Sequence, residues 1–207
     1  MTRYEKHTMN DQGIAADVVR QGWCVQPGFL AAPRVAQLAE AVRERWALGD
    51  LSRAGIGRGI ARSVRQDIRG DHVLWLDECE IPAIQRLLSE ELETLRLALN
   101  AAGYLGLHEF EGHFAVYPPG TGYARHLDRF RDDDARVVSL VLYLNQDWQA
   151  SDGGELCLYP GGEESAAITV SPAGGTLVGF LSAEMAHEVL PSRRDRFSLT
   201  GWFRRRP

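Results

Sequence analysis

The residues best suited to chemistry are His126-Leu127-Asp128, in a stretch that reads as a β-strand. Side chains alternate faces along a strand, so His126 and Asp128 point the same way and bring one imidazole and one carboxylate to one place. His187 begins another strand-like run 59 residues beyond Asp128 and supplies a third donor. Two imidazoles and a carboxylate on one face of an octahedral metal leave three positions open, the arrangement of non-heme Fe(II) oxygenases. On its own, His-x-Asp is equally a surface pair or a hydrogen-bonded core histidine.

Arg196 strengthens the metal reading. It opens the run RFSLTGWF nine residues after His187, with Arg196, Ser198, Thr200 and Trp202 on one face and Phe197, Leu199 and Phe203 on the other. A guanidinium there can grip the far carboxylate of a dicarboxylate while the near end chelates the metal. Arg194 shares the strand parity of Arg196 but sits at a turn, where solvation is expected, so Arg196 is preferred. His113 shares a face with Ala115 and Tyr117 and is expected to line the pocket rather than to act as a fourth metal ligand. Tyr123 and Arg125 flank the His-Leu-Asp triplet, where a substrate role competes with plain strand packing and a surface ion pair.

These side chains need a framework, and the sequence pattern predicts one in two parts. Residues 1–105 read as mainly helical support. Asp11 can cap a short helix, and a second runs from Ala32 to Leu48 with Pro33 in its first turn and Gly49 past its end. A third spans Pro82 to Ala102, burying Ile84, Leu88, Leu92, Leu95 and Leu99, with Gly103 as its stop. Trp23 to Val25 and His72 to Leu76 are strand-like. Residues 51–70, rich in Gly and Arg without apolar period, read as a mobile loop, a lid or a partner-binding segment.

Residues 106–207 carry eight short extended runs: 107–117, 123–129, 136–145, 155–159, 166–170, 176–181, 187–190 and 195–204. The predicted fold is therefore α+β, a double-stranded β-helix (jelly roll) of about eight strands supported by N-terminal helices, in a single domain 1–207.

Composition narrows the function classes. The 207 residues are 44% hydrophobic with a net charge of -5, which suits an ordinary globular chain and argues against a nucleic-acid or anionic-membrane binder. Cys24, Cys79 and Cys157 lie far apart without a CxxC pair, which supports neither a disulfide framework nor a zinc knuckle. The start of the chain is polar, and the longest apolar run, Val137 to Leu144, is too short to cross a bilayer. A soluble, cytoplasmic monomer is expected. All but Lys6 of the 23 basic residues are arginine, which reads as coding bias for most of them.

The ordered series Tyr117-Pro-Pro-Gly-Thr-Gly-Tyr-Ala-Arg-His-Leu-Asp128, Val141-Leu-Tyr-Leu-Asn-Gln-Asp-Trp148, Gly153-Gly-Glu-Leu156, His187-Glu-Val-Leu-Pro191 and Arg196-Phe-Ser-Leu-Thr-Gly-Trp202 resembles the 2-oxoglutarate and Fe(II) dependent prolyl hydroxylases. Within that superfamily it looks most like the enzymes that hydroxylate hypoxia-inducible factor, in their short bacterial form. Arg69-Gly-Asp71 and Trp75 extend the likeness more loosely. The resemblance implies Fe(II) on His126, Asp128 and His187, and 2-oxoglutarate on Arg196 and Tyr143. It also implies a substrate pocket that includes Tyr117 and Trp202, to which His113 and Arg136 are assigned as well. The implied reaction is hydroxylation at C4 of a prolyl residue in a protein, with O2 consumed and ascorbate as reductant. Elongation factor Tu is the implied bacterial substrate, with oxygen sensing as the wider role. Two alternatives are carried forward. One is an oxygenase of the same superfamily acting on a free amino acid, small metabolite or nucleic-acid base; the other is a non-enzymatic jelly-roll binding module.

Overall fold

The computed structural model describes residues 4–55, 64–65, 67–78, 81–129, 134–161 and 166–206. The eight predicted extended runs each overlap a strand, in the predicted order. These are β4 (Leu107–Tyr117), β5 (Tyr123–His126), β6 (Arg136–Tyr143), β7 (Leu156–Tyr159), β8 (Ile168–Val170), β9 (Leu177–Leu181), β10 (Ala186–Val189) and β11 (Arg196–Arg205). Three strands from the first half join them: β1 (Trp23–Gln26), β2 (Ser52–Arg53) and β3 (His72–Trp75). They form a seven-stranded sheet in the order β1-β9-β6-β11-β4-β3-β2 and a four-stranded sheet in the order β5-β10-β7-β8. All pairings between these strands are antiparallel.

The period-2 pattern decides which residues meet. On β11, Phe197, Leu199 and Phe203 turn outward and join Val138, Leu140, Leu142 and Phe114 in a core shared with the helices. On the other side Ala115, Tyr117, Val141, Tyr143, Val178 and Phe180 meet Leu156, Leu158 and Val189 of the smaller sheet. Arg196, Ser198, Thr200 and Trp202 belong to this inner side, so the polar row points between the sheets.

The helices cover the outer side. Helix α2 (Ala32–Leu48) has Pro33 in its first turn and buries Val35, Leu38, Ala39 and Val42. It closes on Gly49 at φ 79°, whose N–H bonds back to Arg45 and Trp46. Three expectations are corrected. Asp11 does not stand at a helix start: helix α1 (Tyr4–Gln21) begins before it, and Asp11 is buried within the helix. The predicted third helix is interrupted, with α3 (Pro82–Arg86) and α4 (Glu93–Gly103) joined by a π-helical turn, Leu87–Leu92. That wider turn buries Leu87 and Glu91, which pairs with Arg34 of α2, while Leu88 is only half-buried. Finally, the left-handed residue that ends α4 is Tyr104 at φ 51°. Gly103 serves close packing instead, since a Cβ there would lie 2.7 Å from Val19 of α1.

Part of the expected loop 51–70, residues 56–63 and 66, lies outside the described residues. Its start forms β2, paired to β3, and its end is fixed by Arg69, which bridges to Tyr123. No helix among the described residues is long and apolar enough to cross a membrane.

Candidate active site

The mouth between the sheets holds a cavity of about 480 Å³, its open side included. His126 closes β5, Asp128 follows two residues on, and His187 on β10 lies directly opposite His126 in the strand register. One donor atom from each of His126, Asp128 and His187 falls within 4.8 Å of the others. The Nε2 atoms of His126 and His187 stand 3.7 Å from the two oxygens of Asp128. Each ring is oriented through its other nitrogen: His126 Nδ1 donates to the Ala124 carbonyl at 2.8 Å and His187 Nδ1 to that of Met185 at 3.0 Å. A carbonyl only accepts, so both Nε2 atoms keep their lone pairs free for a metal.

Protonation suits that role. Burial pushes His187 down to about 4, with His126 adding to the effect and Asp128 opposing it, so the ring is neutral near pH 7. Burial favours a neutral Asp128, but His187, His126 and the Ser139 hydroxyl together outweigh it and hold the carboxyl below its usual range. Ser139 Oγ donates to Asp128 Oδ2 at 2.7 Å and contacts Ser182 Oγ at 2.8 Å. Ser139 was missed from the sequence. Its signal was a hydroxyl on the inward parity of an otherwise apolar strand, two and four residues before Val141 and Tyr143.

At the other end of the cavity is Arg196, 1% exposed and the largest fully buried side chain. Its Nε donates to the Gly154 carbonyl at 2.8 Å, and its guanidinium lies 5.2 Å from the Tyr117 ring centroid and 5.0 Å from that of Tyr143. Gly154, at φ 72°, leaves no space for a Cβ, which would lie 2.9 Å from Ser192 and 3.2 Å from Arg196. Arg196 Nη2 and the Tyr143 hydroxyl are buried without a hydrogen-bond partner of good geometry. Burial raises Tyr143 to about 12 against the pull of Arg196, so its hydroxyl remains a donor. A buried cation beside a free phenolic donor fits a carboxylate. Arg194, by contrast, is exposed and engages Asp152, the Gln146 carbonyl and the Trp148 ring.

The remaining predicted pocket residues divide. Tyr117, His113 and Trp202 line the cavity. Arg136 stands behind it, stacked 3.4 Å from the Trp202 ring and paired with Glu111 at 3.1 Å. His113 is not part of the three-donor cluster. A column not foreseen from the sequence supports His126. The Tyr123 ring stacks on it at 3.5 Å and 17°, Arg69 covers Tyr123 at 4.9 Å, and Arg69 pairs with buried Asp71 through contacts of 2.7 and 2.8 Å. Asp71 and Arg69 thus tie the end of the 51–70 stretch to the His126 imidazole.

Comparison with known proteins agrees with this geometry. Residues 112–204 match the family model for the 2OG-Fe(II) oxygenase superfamily. The chain belongs to that superfamily, and it is homologous to the EGLN prolyl hydroxylases. It is 33% identical to mouse prolyl hydroxylase EGLN3 over 196 residues, covering 88% of this chain and 78% of the relative. With mouse Egl nine homolog 1 it shares 32% identity over 195 residues, 89% of this chain but 47% of the relative, so the chain spans about half the length of that protein. Among solved structures, a Pseudomonas putida prolyl-4-hydroxylase is 46% identical, with a TM-score of 0.86 over 95% of this chain and 100% of that one. A Trichoplax adhaerens prolyl hydroxylase in complex with a hypoxia-inducible-factor oxygen-degradation-domain peptide fragment is 28% identical, with a TM-score of 0.86 over 97% and 91%.

Proposed function

We propose that this chain hydroxylates C4 of a prolyl residue in a protein substrate, using Fe(II), 2-oxoglutarate and O2, with ascorbate as reductant. One observation carries the reading: a His-Asp-His donor set and an unsatisfied buried Arg196–Tyr143 pair face the same cavity. The metal ligands are His126, Asp128 and His187, and the distal carboxylate of 2-oxoglutarate pairs with Arg196 and accepts from Tyr143. When bound, the ferrous ion supplies the activation of O2 and the redox chemistry. The chain's own residues do the rest. The Ala124 and Met185 carbonyls fix the two imidazole tautomers, and Ser139 orients the carboxylate. Tyr117 and Trp202, with His113, form the walls that hold the prolyl ring and exclude water, and Arg136 buttresses Trp202.

A protein substrate is supported by the peptide complex of the Trichoplax relative and by the open cavity mouth between the sheets. Elongation factor Tu is the substrate we put forward, with oxygen sensing coupled to translation as the role, carried out by a cytoplasmic monomer. The test is incubation of the protein with Fe(II), ascorbate, 2-oxoglutarate and purified elongation factor Tu, followed by mass spectrometry of tryptic peptides. One added oxygen on one proline, absent without 2-oxoglutarate and absent with His126→Ala, is the expected result. An unmodified factor would remove it as the substrate, and a modified residue other than proline would overturn the prolyl assignment.

A further inference from the structure

Iron and 2-oxoglutarate do not use every unsatisfied group on the inner side of the large sheet. Strand register sets Trp75 opposite His113, and His113 opposite Thr200, two residues before Trp202. The three rings form one cluster, with centroids 4.8 Å apart for Trp75–His113 and 5.5 Å for His113–Trp202. His113 is 1% exposed and Trp202 4% exposed. Neither ring nitrogen of His113 has a hydrogen-bond partner among the described residues, and the same holds for Nε1 of Trp202. Leaving a buried polar group unpaired costs about 1–3 kcal/mol, so three in one cluster call for a ligand.

That ligand is neither the metal nor 2-oxoglutarate. His113 lies outside the three-donor cluster. Thr200, which faces it, stands four residues along β11 from Arg196, about 14 Å at strand rise, farther than a five-carbon diacid of roughly 6 Å extends. Burial, reinforced by Arg69 and Arg136, pushes His113 down to about 3, so the ring is neutral and offers one N–H donor and one acceptor nitrogen. Trp202 can only donate. Two donors and one acceptor match a peptide unit, whose carbonyl accepts and whose N–H donates. They do not match a carboxylate, which only accepts, or the aliphatic carbons of a prolyl ring.

We propose that His113, with Trp202, is a specificity-determining element that hydrogen-bonds the main-chain amide following the target prolyl ring. The inference rests on the prolyl hydroxylase reading above. It adds a polar requirement to a wall otherwise read as aromatic packing: the wall favours a substrate that continues as a polypeptide beyond the ring over free proline and prolyl esters.

The probes are N-acetyl-L-prolyl-N-methylamide and N-acetyl-L-proline methyl ester, which lacks the N–H. Each is titrated by NMR into the full chain carrying Zn(II) in place of iron, with 2-oxoglutarate bound. The parent chain should bind the amide about tenfold more tightly than the ester, the effect of one or two buried hydrogen bonds. His113→Leu should bind both equally weakly while its 2-oxoglutarate affinity stays within twofold, and His113→Gln, which keeps a donor and an acceptor, should recover part of the preference. An amide-to-ester ratio unchanged in His113→Leu would overturn the proposal, as would an amide that fails to bind the parent chain. Failure of the underlying reading would be visible separately, as loss of Zn(II) and 2-oxoglutarate binding before any probe is added.

Discussion

The two faces of β11 do opposite work. Outward, Phe197, Leu199 and Phe203 are buried against helices and neighbouring strands with no polar atom to satisfy. Inward, one residue away, Arg196 Nη2 and Trp202 Nε1 are buried without partners, as are the nearby Tyr143 hydroxyl and both nitrogens of His113. Native structures leave few such groups, each costing about 1–3 kcal/mol. The outward face therefore contributes the stability that lets the inward face stay unsatisfied until ligands arrive. Substitutions on the two faces should separate cleanly into folding effects and ligand effects.

Loss of a metal ligand should have the largest effect. His187→Ala should remove Fe(II) binding and take turnover below detection, while circular dichroism shows a folded chain; a variant that still turns over would break the assignment of the His126, Asp128 and His187 cluster. Leu199→Ala, on the outward face, should cost about 2–5 kcal/mol of unfolding free energy. In denaturant titration that loss should come with an unchanged KM for 2-oxoglutarate.

Arg196→Lys keeps the charge and loses the fork, so the KM for 2-oxoglutarate should rise about 10- to 100-fold, the worth of hydrogen bonds to a charged group. Arg194→Lys should leave it unchanged, and equal effects would mean that Arg194 holds the diacid. The smallest effect concerns pH. His113 titrates near 3 in the fold against an ordinary 6.5, so below about pH 6.5 the unfolded chain takes up a proton that the folded chain refuses. Stability should therefore fall as pH drops from 6.5 toward 3, by about 2 kcal/mol at pH 5 from this group alone. His113→Leu should flatten that slope without lowering stability at pH 7, and a slope identical to the parent's would contradict a buried neutral ring.

The second half of the chain was largely legible because it alternates with period 2 between Gly and Pro punctuation. The eight extended runs, the shared side of His126 and Asp128, and the burial of Arg196 beside an exposed Arg194 all follow from parity and turns. What was not legible depends on partners distant in sequence. Ser139 looks like an odd hydroxyl until Asp128 is placed beside it. The stacking of Arg69 and Tyr123 on His126 arises only when the end of the 51–70 stretch meets β5. In the helices, the pattern gave the right buried side but the wrong local detail. A π turn placed Leu87 where a regular period put Leu88, and Gly103 proved to be required by the approach of α1 rather than by a left-handed cap.

In the proposed function, His126, Asp128 and His187 hold iron while Arg196 presents 2-oxoglutarate to it. Anaerobic titration of the metal-free protein with Fe(II) and 2-oxoglutarate, followed by visible absorption, tests both halves together. The expected result is a weak charge-transfer band that forms only when both are present, vanishes in His126→Ala, and needs much more 2-oxoglutarate in Arg196→Lys. Absence of the band in the parent chain, or its persistence in His126→Ala, would contradict it.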